Sequence, residues 1–214
     1  MNPGSPSHRR SPKRVNFAGS LINCPCHICA LFKSSDEQHA ALLPFVKEGF
    51  ERGERCLQFV NKSEREERLN LLTAFGIDVD AMQRSGALEI EVWENAYLRD
   101  GKFDVTSMLE FVQECLGTGI RRGFPRTRLW ADMEWALSGA PGVDDIAEYE
   151  SRLNYILPLT VDAVVCAYDV TRFSAPLLEN VIKAHPYLSA DGWGRANPDY
   201  VAPDHLLPEL RAKL

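Results

Sequence analysis

The chain has 214 residues, 45% hydrophobic and 25% charged, a composition that excludes wholesale disorder and is long enough to bury a sizeable core as one domain. The formal charge is −6, and residues 1–14 hold Arg9, Arg10, Lys13 and Arg14 without any acid, so the remainder is more acidic still. A body of that sign is poorly suited to holding a phosphate backbone, and no direct nucleic-acid partner is expected.

Residues 1–20 read as a disordered basic leader, and residues 21–214 as a single folded domain. No apolar h-region follows the basic cluster and no apolar run reaches the ~18–20 residues of a membrane span, so a cytoplasmic location is expected, with no membrane partner. His27-Ile-Cys-Ala-Leu-Phe32 is a nearly continuous apolar run, the pattern of a strand buried on both faces. Ser35-Asp-Glu-Gln38 reads as a capping box that opens a helix to about Arg52, with Pro44 predicting a kink or a late start. Cys56–Val60 is the second strand. Ser63-Glu-Arg-Glu66 opens a helix stopped by Gly76, and a short helix near Val79–Arg84 ends at Gly86.

Ala87–Trp93 alternates like a strand. Met108, Leu109, Phe111, Val112, Cys115 and Leu116 stripe a helix over about Val105–Ile120. Arg128–Leu137 reads as a strand carrying Asp132, Glu134 and Trp135 at its end. A helix over about Asp144–Leu157, a strand over Ala163–Val170 and a helix over about Pro176–Ala184 follow, the last stopped by His185-Pro186. The tail from Ser189, with Pro198, Pro203 and Pro208, reads as extended chain and a final short helix.

Strands that alternate with helices of ten or more residues imply right-handed crossovers and a mainly parallel sheet covered on both faces. The fold class is α/β, and a ligand site is expected at the carboxyl ends of the strands. A phosphate-binding loop there would need Gly-x-x-x-x-Gly-Lys-Ser/Thr. The turn after the first strand is instead Lys33-Ser-Ser-Asp-Glu37, with two acids and no glycine, so ATP hydrolysis and a bound cofactor are not expected.

Cys24-Pro-Cys-His-Ile-Cys29 offers metal donors in Cys24, Cys26, His27 and Cys29, but no second Cys-x-x-Cys completes a zinc site, and partly buried thiols are the preferred reading. Cys56 and Cys166 lie in apolar runs and read as small core residues, as does Cys115. His27, Asp132, Glu134, Asp169 and His185 each fall near the end of a predicted element. With Trp130, Trp135, Tyr168 and Phe173 as apolar walls they would form a polar small-molecule pocket. Each also has a plainer explanation: His185 as a helix C-cap, Asp169 in a turn, Glu134 paired with Arg128.

Several blocks in succession resemble a known family. His27-Ile-Cys-Ala-Leu-Phe32, Pro44-Phe-Val-Lys-Glu-Gly49 and Gly53-Glu-Arg-Cys56 are similar to the opening of the MEDS domain, the methanogen/methylotroph sensory domain. Asp132-Met-Glu-Trp-Ala-Leu137, Tyr149-Glu150 with Asn154, Val165-Cys-Ala-Tyr-Asp169, His185-Pro186 and Asn197-Pro-Asp-Tyr-Val-Ala-Pro-Asp204 match its later blocks in order. The resemblance covers about residues 25–212. It implies a RecA/KaiC-like three-layer fold with a degenerate P-loop. It also implies a non-catalytic sensory role in signal transduction and transcription regulation, with a small hydrocarbon derivative as ligand.

On the matching blocks, His27, Glu134, Trp135, Tyr168, Asp169 and His185 are the candidate ligand-binding residues. No segment has room for a helix-turn-helix or a kinase domain, so a regulatory protein partner, a kinase or a transcription factor, is expected to receive the signal. Two alternatives use the same residues differently. One is a hydrolase or transferase with His27 or His185 as base and Glu134 or Asp169 as its orienter. The other is a ligand-independent pseudo-ATPase scaffold.

Overall fold

The computed structural model describes residues 13–212. The strands are β1 (Arg14–Phe17), β2 (Ser20–Asn23), β3 (Cys26–Phe32), β4 (Arg55–Val60), β5 (Leu88–Val92), β6 (Thr127–Asp132), β7 (Ala163–Asp169), β8 (Tyr187–Ala190) and β9 (Trp193–Ala196). The helices are α1 (Ser35–Glu51), α2 (Arg65–Ala74), α3 (Val79–Ser85), α4 (Val105–Arg121), α5 (Ile146–Ile156), α6 (Ala175–Ala184) and α7 (Pro203–Arg211).

A seven-stranded sheet runs in the order β5-β4-β6-β7-β3-β8-β9, parallel throughout except for β9, which turns back along β8. The register sets Phe32 beside Asp169 and Asp132 beside Ala167, so β3 and β7 finish level and β6 ends slightly short of them on the same side of the sheet. Successive side chains of a strand point to opposite faces. In β3, Ile28, Ala30 and Phe32 pack toward α1, whereas Cys29 packs with α4, α5 and α6. The result is two apolar cores separated by the sheet, a three-layer α/β sandwich.

The elements keep close to their expected ranges, with local differences that have local causes. Helix α1 is capped one residue earlier than expected. Ser34 Oγ accepts from the Glu37 amide at 3.3 Å, while Glu37 Oε2 accepts from the Lys33 amide at 2.8 Å. The helix then continues through Pro44, which is solvent-exposed. Asn61 takes the capping role expected of Ser63, accepting from the Ser63 amide and leading through a short 3-10 turn into α2.

Strand β6 ends at Asp132, and Met133–Leu137 form a 3-10 turn rather than more strand. In the tail, β8 and β9 form a hairpin where extended chain was expected. The leader boundary also moves: β1 pairs with β2, Val15 opposite Ile22, so chain from Arg14 onward is ordered strand. Residues 1–12 lie outside the described residues.

Buried ion pairs lock the amino ends of the strands. Glu54 meets Arg128 Nε at 2.6 Å and Arg126 Nη1 at 3.3 Å, and Arg128 Nη1 also reaches Glu48 at 2.9 Å. Gly49 makes the space, because a Cβ there would stand 2.8 Å from Arg128 Cδ. Arg128 therefore belongs to the opposite end of β6 from Glu134 and is not its partner.

Candidate functional site

The carboxyl ends of β6 and β7, with α1 and the start of α2, enclose a cleft of ≈ 240 Å³. Its walls carry Gln38 and His39 from α1, Glu64, Glu67 and Arg68 from around the start of α2, and Asp132, Glu134, Asp169 and Arg172 from the strand ends. Asp132 is its most heavily bonded group. Oδ1 accepts from Gln38 Nε2 at 2.5 Å and from the Trp130 indole N–H at 2.8 Å, and Oδ2 accepts from Arg68 at 2.7 Å.

The Arg68 guanidinium in turn lies 3.7 Å from the Trp130 ring centroid and donates to Gln58 at 3.0 Å. Glu134 pairs with Arg172. Burial, then the charges of Asp132 and Glu134, raise the Glu64 carboxyl above its ordinary value. Burial, then Arg68, lowers that of His39. Carboxylates outnumber cations in this cleft.

A second polar cluster lies sealed between the sheet and helices α5 and α6. His27 on β3, Cys166 and Tyr168 on β7, Glu150 on α5 and His185 at the end of α6 are all buried. Glu150 Oε2 sits 3.1 Å from His27 Nε2, 3.4 Å from His185 Nε2 and 3.5 Å from Cys166 Sγ, while Oε1 accepts from the Tyr168 hydroxyl. Burial alone would raise the Glu150 carboxyl, but the two imidazoles, when protonated and donating to it, outweigh burial and hold the group well below the usual carboxylate range.

The imidazole tautomers follow from their outer partners. Asn154 Nδ2 donates to three backbone carbonyls, those of Glu150, Ser151 and Ala184, so its Oδ1 faces His27 Nδ1 as an acceptor at 3.2 Å. His185 Nδ1 donates to the Val181 carbonyl at 2.6 Å. In the neutral imidazoles the lone pairs are therefore on both Nε2 atoms, which face Glu150.

The six residues expected to share one pocket are thus divided among three places. Glu134 and Asp169 line the strand-end cleft, where Asp169 also holds its own turn by accepting from Thr171. His27, Tyr168 and His185 belong to the sealed cluster. His27 is the second residue of β3, far back from the strand end, and His185 is indeed the residue that ends α6.

Trp135 lines neither site. It stacks on Tyr97 with ring centroids 4.4 Å apart and planes 9° from parallel, and the 3-10 turn directs it into the apolar core. The base–orienter pairs imagined between the histidines and Glu134 or Asp169 are not formed, since the carboxylate facing both imidazoles is Glu150. The Cys24, Cys26, His27, Cys29 set does not converge. Cys24 and Cys26 meet at 3.5 Å on the α1 side of the sheet, opposite the face that holds His27 and Cys29.

Four positions of these two clusters escaped the sequence reading. Glu150 and Asn154 lie four residues apart on α5, on the face otherwise made by Ile146, Ala147, Tyr149 and Leu153. An acid on the apolar stripe of a helix was the available signal. Arg68 and Gln38 gave none, because each looks like an ordinary solvated helix residue.

This strand order and the three-layer packing give the chain an α/β fold of the RecA/KaiC-like class. A KaiC-like protein from the hyperthermophilic archaeon Pyrococcus horikoshii OT3 superimposes with a TM-score of 0.51 at 14% identity, covering 76% of this chain and 69% of that one. Residues 26–186 match the model of the MEthanogen/methylotroph, DcmR Sensory domain, and the chain belongs to this MEDS family. It is also 25% identical over 181 residues to the transcriptional repressor DcmR of Methylorubrum extorquens (strain DSM 6343 / CIP 106787 / DM4). That alignment takes in 84% of this chain and spans 65% of the repressor's length. Among the described residues no helix is long and apolar enough to cross a membrane.

Proposed function

We propose that the chain is a non-catalytic cytoplasmic sensor that binds a small polar hydrocarbon derivative in the strand-end cleft and relays it to a regulatory protein partner. One observation carries this reading: Asp132, the acid at the end of β6, is fully engaged by donors of the protein itself. In P-loop enzymes of comparable layout such an acid helps to hold magnesium for the nucleotide phosphates. Here Gln38, Trp130 and Arg68 take up the carboxylate from three elements.

The turn from Phe32 to Glu37 supports the same reading. Its acids and lack of glycine fit a degenerate P-loop, and the excess of carboxylates in the cleft repels phosphate. Because Asp132 ties α1, α2 and β6 together, a ligand that competes for Arg68 or Gln38 changes how those helices sit. Only such a difference in affinity between two arrangements can carry a signal. The repressor relative supports a regulatory destination, with a kinase or a transcription factor as receiver.

The test is a thermal-shift and calorimetric screen of the purified chain against small alcohols, amines, halocarbons, ATP and ADP. A ligand at ~100 times its dissociation constant adds about 2.7 kcal/mol of stability. The expected result is a shift with organics that is weakened by Glu134→Gln and Arg172→Ala. A shift with ATP, or ATP turnover, overturns the reading.

A further inference from the structure

We propose that His27, Glu150, Cys166 and His185 are the four ligands of a buried divalent transition-metal ion, with zinc(II) the best match to their chemistry. They come from four separate elements, and their donor atoms all lie within 4.8 Å of one another. Four of the separations are 3.1, 3.4, 3.5 and 3.5 Å. A tetrahedron with zinc bonds of about 2.0–2.3 Å has edges of about 3.3–3.8 Å, so little movement is needed to admit the ion.

The hydrogen-bond inventory points to a cation independently of this spacing. Both Nδ1 atoms donate outward, to Asn154 and to Val181, which leaves both neutral imidazoles with bare Nε2 lone pairs directed at a carboxylate. His185 Nε2 is fully buried and makes no hydrogen bond of acceptable geometry, although Glu150 Oε2 is 3.4 Å away. With both imidazoles neutral, only the Cys166 thiol supplies a proton among these four groups. Three lone-pair donors around one carboxylate oxygen repel each other unless a positive charge stands between them.

An ion at the centre removes that conflict. Two neutral imidazoles, one carboxylate and one thiolate carry a charge of −2, which a divalent cation cancels, so the sealed site is neutral as a whole. The Cys166 proton leaves to solvent as the metal–sulfur bond forms. The surroundings already have the form of an outer shell. Asn154 and the Val181 carbonyl fix the two rings, and the Tyr168 hydroxyl holds Glu150 Oε1, leaving Oε2 for the metal. Full burial makes such a site structural, clamping α5 and α6 onto β3 and β7. It does not depend on what binds in the strand-end cleft.

The experiment is metal analysis of the purified full chain, as isolated and after chelator stripping and zinc reconstitution, with cobalt(II) substitution as a spectroscopic probe. The expected result is about one zinc per chain, and a tetrahedral cobalt spectrum with a thiolate charge-transfer band. Cys166→Ser should abolish that band, Asn154→Ala should weaken affinity about 10–100-fold, and the double variant Cys24→Ser/Cys26→Ser should leave both unchanged.

Ligand variants of a buried cluster can unfold, so X-ray absorption of the wild-type zinc protein reads the donor set directly, with one sulfur and three nitrogen or oxygen neighbours expected. Failure of the wild-type chain to retain zinc or cobalt after reconstitution overturns the proposal. So does a shell with no sulfur or two sulfurs, or metal retained with the Cys166→Ser variant and lost with the Cys24/Cys26 variant.

Discussion

The imidazole rings of His27 and His185 lie 4.0 Å apart, tilted by 39°, and each turns its Nε2 toward the same oxygen of Glu150. One helix-borne carboxylate thus holds together a strand that begins the sheet and a loop that ends its last covering helix. Glu150→Gln removes the only full negative charge in the described surroundings of the two rings. In the zinc-bound chain, where the carboxylate is paired with the cation, this is expected to cost about 3–5 kcal/mol of unfolding free energy. Urea denaturation with an unchanged m-value checks this, and a loss below about 1 kcal/mol would show the carboxylate to be dispensable.

Arg68 and Asp132 form the corresponding pair at the strand ends, both nearly buried. Arg68→Met keeps the aliphatic packing over Trp130 but strands the Asp132 carboxylate. The single variant should lose about 3–5 kcal/mol, and the double variant Arg68→Met/Asp132→Asn should recover part of that loss. A double-mutant cycle by urea denaturation measures the coupling, and strict additivity would mean that the pair does not interact.

Glu64 reports on the charge balance of the cleft. Its carboxyl titrates above the ordinary 4.5 because of burial first, then Asp132 and Glu134. A raised carboxyl favours the fold most fully below its unfolded value, and that contribution disappears as pH rises through the folded value. Carbon-detected NMR titration should show Glu134→Gln returning Glu64 toward its ordinary value. An unchanged Glu64 would remove Glu134 as a cause.

Trp135 was expected to line a ligand pocket and instead stands in the apolar core between Tyr97 and Phe103, each with ring centroids 4.4 Å away. Trp135→Ala should cost about 3–5 kcal/mol, as expected of a large buried aromatic. Trp135→Phe should cost less, since the indole N–H has no hydrogen bond to lose. Thermal unfolding ranks the two variants. Ligand affinity in the strand-end cleft should be unchanged in the phenylalanine variant.

Much of the fold was legible because hydrophobic period and capping chemistry are local properties. The apolar runs at β3, β4 and β7 and the stripe on α4 read directly as elements. The β1–β2 and β8–β9 hairpins did not, because each strand has only four residues and takes its stability from pairing. The site was half legible. Asp132, Glu134 and Asp169 follow from the rule that strand ends carry function. The partnership of His27 with Glu150 spans 123 positions in sequence, and only the packing of α5 on the sheet brings the two together.

The ion pairs around Glu54 and Arg128 give the two ends of the sheet different freedoms. Breaking any of them leaves a charge in a dry interior, which makes local opening at this end costly. At the other end, the half-exposed Arg172–Glu134 pair and the exposed Lys33–Asp191 pair separate and re-form against water at little energetic cost. The looser pairs at the cleft end lie outside the buried Arg68–Asp132 contact, so a ligand that displaces Arg172 or Lys33 from its partner meets little resistance until it reaches Asp132.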